Sequence, residues 1–235
     1  MSRKNNLLQP ADIIDNLPGI VWVKDCQLNY YACNKQLISY AGLKNSDNII
    51  GKDDFYLPWA KYAEHYREGD LPILNGKSMT FLHPMRFTSG KEALILTRKT
   101  PLQNSFNSVV GVLGFVTPLP GTRRRQVINK LGIIDRSIRG HSNTQIQYIL
   151  SDNFQDFDIS KREAVCLFYL IRGKTAKEIG LILGISKRTA EKHLESIRAK
   201  FNCESKSQVI SKAIEMGFVN FLPNDTFIDK VIDDI

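Results

Sequence analysis

The chain has 235 residues, 43% of them apolar and 24% charged, with a formal net charge of +8 at pH 7. That length suits two modest domains, and the balance is that of a globular protein, not of a disordered, collagenous or disulfide-built one. No apolar run nears the roughly 20 residues of a membrane span, and the start, MSRKNNLLQPADII, lacks the apolar centre of a signal peptide, so a cytoplasmic location and no membrane partner are expected.

In chain order, Pro10 to Asn16 reads as a short helix stopped by Pro18-Gly19. Ile20-Val21-Trp22-Val23 reads as a strand, Lys24-Asp25-Cys26-Gln27 as a turn, and Leu28 to Ala32 as the second strand of a hairpin. Asn34 can cap a helix that stops at Gly42. Asn45 to Trp59 is rich in turn formers, and its Asp53-Asp54 pair is taken as loop, because the elements do not alternate as in a phosphoacceptor receiver. Ala60 to Leu74 is mostly helical. The period then becomes two. Ser78 to Phe87 sets Met79, Phe81, His83, Met85 and Phe87 on one side, and Lys91 to Thr100 sets Leu94, Leu96 and Arg98 against Ile95 and Thr97. Val109 to Val116 is a last strand. Two strands, several short helices and three strands describe an α+β domain on a five-stranded antiparallel sheet with flanking helices.

An inner sheet face of Met79, Phe81, Met85, Phe87, Ile95 and Phe115 reads as a filled core, with His83 satisfied within it. His65 reads as a solvated or hydrogen-bonded helix residue, not a haem ligand. Neither haem nor flavin is predicted. A small-molecule ligand of this domain stays open, with its binding residues unknown. Cys26, Cys33, Cys166 and Cys203 show no C-x-x-C spacing and are expected as buried or free thiols, with no metal site. No catalytic motif stands in the chain, so no catalytic residue is named and an enzyme is not expected.

Pro118 to Phe157 is a connector. Val127, Leu131, Ile134 and Ile138 recur at four, three and four, a short a/d seam that suits a dimer stalk or packing back onto the first domain. Arg139 to Asn143 breaks that helix, and Thr144 to Leu150 is predicted to form another.

From Thr175 to Phe201 two helices flank the turn Leu183-Gly184-Ile185. Ile179 and Leu183 mark the apolar side of the first. Ser186 caps the second, on which Ala190, Leu194, Ile197 and Phe201 form one buried stripe. Arg188, Lys192, Glu195 and Ser196 are predicted on the opposite side. Ser160 with Glu163 forms a capping box upstream, and Ser205 with Gln208 starts a fourth helix that ends at Gly217. Residues 161–206 hold 11 basic and 5 acidic side chains, so the basic excess gathers where phosphate contacts would be needed.

This block resembles the LuxR/GerE family of bacterial transcription regulators through Ser160, Arg162, Glu163, Gly173, Thr175, Lys177, Glu178, Ile179, Leu183, Ile185, Ser186, Thr189, His193, Leu194, Ile197 and Lys200. It departs from the family pattern at Ala190, Phe201 and Asn202. The N-terminal half resembles the PAS sensor fold through Leu17-Pro18-Gly19, Val23-Lys24-Asp25, Tyr31-Ala32-Cys33-Asn34, Ile50-Gly51-Lys52-Asp53, Tyr66 to Asp70, Lys99 to Leu102 and Gly111 to Gly114. The organisation expected is a PAS-like sensor over 11–118, a helical connector over 119–157, an all-α four-helix LuxR-type helix-turn-helix domain over 158–218 and a tail over 219–235.

The resemblance implies a regulator that senses a signal through PAS and binds double-stranded DNA as a homodimer, with RNA polymerase a further candidate partner. The alternative is a protein–protein signalling module with only weak DNA binding. Lys187 and Thr189 lie where the start of the long helix can meet phosphate, and Lys174 and Lys177 where they reach the flanking backbone. The resemblance puts Glu191, Lys192 and Glu195 at base-facing positions. Lys192 can donate to guanine, whereas the two glutamates can only accept, from cytosine N4. Thr175, Arg188, His193, Arg198 and Lys200 complete the candidate DNA surface.

Overall fold

The computed structural model describes residues 10–86, 92–119 and 147–224. Among these, 10–119 and 147–224 belong to two compact units. The seam residues Val127, Leu131, Ile134 and Ile138, the break at 139–143 and the tail beyond Asn224 lie outside the described residues.

The first unit opens with α1 (Pro10–Asn16), β1 (Ile20–Asp25), β2 (Tyr30–Cys33) and α2 (Lys35–Ala41). Three single 3-10 turns follow, at Ser46–Asn48, Asp54–Tyr56 and Ala60–Tyr62, then α3 (Ala63–Leu74), β3 (Met79–Arg86), β4 (Glu92–Gln103) and β5 (Val109–Pro118). The strands lie in the order β2-β1-β5-β4-β3, and the pairs β1–β2, β1–β5, β4–β5 and β3–β4 are all antiparallel. Chain order departs from spatial order because the helices cross between the halves of the sheet, as the element sequence predicts.

Local chemistry sets several joints. Buried Asn34 accepts from the amides of Leu37 and Val21, both at 3.1 Å, and donates to the Gly19 carbonyl at 2.8 Å, so one side chain caps α2 and ties it to β1. Gly114 pairs with Trp22 across β5 and β1, where any Cβ would overlap the indole. Trp22, Tyr30 and Trp59 then meet edge-on, with ring centroids 5.9 and 6.2 Å apart, at the centre of the core.

Four expectations are overturned in this unit. Lys24 does not turn the chain; it continues β1 and is 1% exposed. Leu28 is not in a strand but holds a left-handed turn conformation, with φ 68°. Asp54 is not a plain loop residue: it opens a 3-10 turn that carries it into the core, at 4% exposure. Phe115 does not face the core with Val112 and Val116, since alternation places it on the other face, against Gly19. Phe87 and the side chain of Met85 lie outside the described residues.

The second unit holds β6 (Tyr148–Ser151), a 3-10 turn at Gln155–Phe157, α4 (Lys161–Leu170), α5 (Ala176–Leu183), α6 (Lys187–Lys200), α7 (Lys206–Glu215), a 3-10 turn at Phe218–Asn220 and β7 (Phe221–Pro223). The N-cap hydroxyls of Ser160, Thr175, Ser186 and Ser205 each accept from the amide three residues on. Such caps are worth about 1 kcal/mol apiece. Ser160–Glu163 is a full capping box, and so is Thr175–Glu178, which the sequence reading did not single out. The stripe Ala190, Ile197 and Phe201 is buried, with Leu194 partly so.

The helix predicted over Thr144–Leu150 is not formed at its C-terminal end, where β6 pairs in parallel with β7 some seventy residues later. Among the described residues there are therefore seven strands, not five. Phe154, Phe157, Phe218 and Phe221 pack beside that ribbon, with centroids 4.9 to 6.4 Å apart.

Candidate nucleic-acid interface and sensor cavity

The core of the first unit holds a partly open cavity of about 60 Å³, with an apolar wall that includes Trp22 and Ile95 and a polar wall that includes Lys24, Asp54, Thr97 and Lys99. The polar wall is a charge network. Lys24 Nζ donates to Asp54 at 2.5 Å and to Asp70 at 2.7 Å, and Lys99 Nζ donates to the other oxygen of Asp70 at 2.5 Å. Asp54 also accepts from the Tyr30 hydroxyl and the Trp59 indole, both at 2.8 Å. The four side chains are almost wholly buried.

Burial pulls the Lys24 ammonium down, and the Asp70 and Asp54 carboxylates outweigh it, so its pKa stands above the usual lysine value. Burial wins at Lys99, aided by the nearby Lys24 charge, and its pKa falls. Burial and then Asp54 push the Tyr30 phenol well up. The network thus joins β1, β4, α3 and the 3-10 turn at Asp54 around one cavity. His83 Nε2 lies 3.1 Å from the Thr97 hydroxyl, a satisfied core histidine as predicted. His65 is partly exposed, with Nδ1 3.9 Å from Glu68, while its Nε2 is buried with no hydrogen-bond partner. Sequence reasoning missed the network because its members are far apart in the chain. The available signal was Lys24 and Lys99 standing inside apolar strands.

In the second unit, α5 and α6 form the helix-turn-helix. Gly184, with φ 66°, ends α5, and the Ile185 amide reaches back to the Gly180 carbonyl at 3.0 Å. A Cβ at Gly180 would lie 2.8 Å from the Ile185 carbonyl oxygen, so glycine lets the two helices close on the turn. Thr175, Lys177, Lys187, Arg188, Thr189, Lys192, Glu195, Arg198 and Lys200 are exposed, whereas Lys174, Glu191 and His193 are half-buried.

Several of these groups already have neighbours. Lys187 pairs with Glu191 at 3.2 Å and Lys174 with Glu178 at 3.7 Å, one helical turn on. Such exposed pairs are worth less than about 1 kcal/mol and yield easily to a phosphate. The Thr175 hydroxyl bonds Glu178, and the Thr189 hydroxyl lies 2.9 Å from that of Ser186, so both serve helix starts. Ser196 is not on the solvent face opposite the stripe: its hydroxyl donates to buried Glu163 at 2.5 Å. Lys200 donates to the same carboxylate at 3.0 Å. Burial raises the Glu163 pKa, but the bonds from Ser196, Ser160 and Lys200 outweigh it and hold the carboxyl at about 2.

Among the described residues no group of His, Cys, Asp and Glu could hold a metal ion, and no helix is long and apolar enough to cross a membrane.

The chain thus carries a mixed sheet-and-helix unit around a cavity with one apolar and one polar wall, and then four short helices that include a basic helix-turn-helix. Comparison with known proteins makes this particular. Residues 14–124 match the PAS fold, and residues 158–213 match the bacterial regulatory proteins of the luxR family. The transcriptional activator protein LuxR of Aliivibrio fischeri is 38% identical over 71 residues, 30% of this chain and 28% of that protein. The transcriptional activator protein AhyR of Aeromonas hydrophila is 39% identical over 66 residues, 28% of this chain and 25% of that protein. The chain thus spans about a quarter of the length of these curated relatives. Among solved structures, the Vibrio cholerae VqmA dimer without target DNA is 26% identical over 93% of each chain, with a TM-score of 0.49. The two matches fall on the two compact units separately, the PAS model on the first and the luxR-family model on the helices of the second.

Proposed function

We propose that this protein is a cytoplasmic transcription regulator that binds duplex DNA sequence-specifically, as a homodimer, through the helix-turn-helix of α5 and α6. The observation that carries the reading is the exposed row of Lys187, Arg188, Lys192 and Arg198 on one capped helix, with Lys177 exposed on the helix before it. A capped helix start carries partial positive charge and free amides that suit phosphate, and the polar side chains beyond it can read base edges. The match to luxR-family activators supports DNA as the partner, and RNA polymerase is a further candidate partner. The PAS domain is the sensor: its cavity of about 60 Å³, one wall apolar and one polar, suits a ligand of only a few heavy atoms, held by placed hydrogen bonds.

Fluorescence anisotropy of labelled duplexes across a salt series tests the reading. The affinity should fall steeply with salt, at about 0.9 log units per log unit for each phosphate contacted. Paired half-sites about one helical turn apart should bind best. Binding that ignores salt overturns the reading, and so does sedimentation as a monomer at tens of micromolar.

A further inference from the structure

We infer that Glu163 is the positioning residue of the recognition helix α6, and that it holds Lys200 as an anchor of that helix instead of leaving it to DNA phosphate; the inference rests on the DNA-binding reading above. Glu163 is on α4, not on the helix-turn-helix, and it is 5% exposed. Its carboxylate joins three points. The Ser160 amide donates to one oxygen at 2.6 Å, and Lys200 donates to the same oxygen at 3.0 Å. The Ser196 hydroxyl donates to the other oxygen at 2.5 Å.

Ser196 and Lys200 stand one turn apart on α6, with buried Ile197 between them in the chain. Two anchors one turn apart define both the rotation of a helix about its axis and its position along that axis. The apolar stripe of α6 cannot do this alone, because apolar contacts are non-directional. Charge-assisted bonds are directional and stronger than neutral ones. Rotation matters here because Lys192 and Glu195 share the exposed side of α6, and a base edge is read only within hydrogen-bond reach. Lys200 keeps a third of its side chain in solvent, but its ammonium is directed at a buried carboxylate. Water competes poorly for that acceptor, so the charge is retained when DNA arrives.

The test uses the full chain, a duplex selected from a random pool and a scrambled duplex, across a salt series. K200M keeps the apolar stem and removes the charge. S196A removes the other anchor and leaves the Ser160–Glu163 capping box untouched. E163Q removes the carboxylate. K200M and S196A should both lower the ratio of selected to scrambled affinity by about ten- to a hundredfold, the range of one lost charge-assisted hydrogen bond. Neither should change the salt slope on scrambled duplex. E163Q should lower the ratio at least as far; should it fail to fold, S196A carries the same test. A K200M slope that falls by about 0.9 at an unchanged ratio makes Lys200 a phosphate ligand and overturns the inference. Loss of thermal stability at an unchanged ratio for S196A overturns it as well. A wild-type chain that shows no salt-dependent duplex binding overturns the DNA-binding reading and this inference together, whereas the first two results leave DNA binding intact.

Discussion

The Lys24 ammonium donates to the Asp70 carboxylate at 2.7 Å, with both side chains at 1% exposure or less. Asp70 uses its second oxygen for Lys99, so one carboxylate on α3 holds two lysines from two strands. A buried pair gains little over an apolar pair of the same shape, yet breaking one side strands an uncompensated charge. Asp70→Ala should therefore destabilise the first unit by about 3–5 kcal/mol. Both tryptophans of the chain, Trp22 and Trp59, lie in that unit, so urea unfolding followed by indole fluorescence reads it selectively. A loss below about 1 kcal/mol would mean that water solvates the lysines and that the network is not dry.

Gly180 and Gly184 flank one turn but resist substitution for different reasons. Gly180 has no space for a methyl group, whereas Gly184 has space but a left-handed φ of 66°. Gly180→Ala should cost about 1–3 kcal/mol by overpacking and should weaken binding to every duplex, because the turn must open. Gly184→Asn should stay within about 1 kcal/mol of wild type, since Asn tolerates that conformation. Thermal melting by far-UV circular dichroism ranks the two, and equal melting points would refute the steric account of Gly180.

Glu163 makes the second unit acid-sensitive. Its folded pKa of about 2 lies below the ordinary glutamate value of 4.5. The folded state thus favours the charged form, and the associated stability is present above pH 4.5 and lost as pH falls from there towards 2. The amount is on the order of 3 kcal/mol. Urea melts of helical signal at pH 6, 4 and 3 should show this decline in the wild type and a shallower one in E163Q. Parallel declines would place the acid sensitivity elsewhere.

Thiol reactivity should follow position. Burial pushes the Cys33 and Cys166 thiols up to about 11, and only the thiolate reacts with alkylating agents. Cys26 is exposed and Cys166 buried. Iodoacetamide at pH 8 with peptide mass mapping should therefore label Cys26 first and Cys166 last. Early labelling of Cys166 would mean that α4 opens readily.

Lys177 and Lys192 should separate two kinds of DNA contact. Lys177→Ala should weaken binding to all duplexes alike and lower the salt slope by about 1, as a phosphate contact does. Lys192→Ala should remove about 1–3 kcal/mol on the selected duplex and little on a scrambled one. Equal losses on both duplexes would make Lys192 a phosphate clamp and move the base-reading face elsewhere on α6.

What could be read along the chain was whatever depends on residues close together in it. Helix starts at Asn34, Ser160, Ser186 and Ser205, the glycine stop at Gly184 and the stripe from Ala190 to Phe201 are all local, because a cap acts over three residues and a helical face repeats every three or four. The alternation of β3 and β4 is equally local, and with the helix-turn-helix pattern it was enough for both fold classes. Only the tertiary structure decided what depends on distant partners. Lys24 looks like a turn residue until Asp54 and Asp70, 30 and 46 positions on, meet it inside the sheet. Tyr148 to Leu150 look helical until Phe221 to Pro223 supply a strand to pair with. Ser196 looks solvent-facing on a helical wheel until Glu163, 33 residues earlier, accepts a hydrogen bond from its hydroxyl. In each case a buried polar group or an open strand edge was satisfied by a partner that no short window of sequence contains, and the demand that such groups be satisfied overrode local preference.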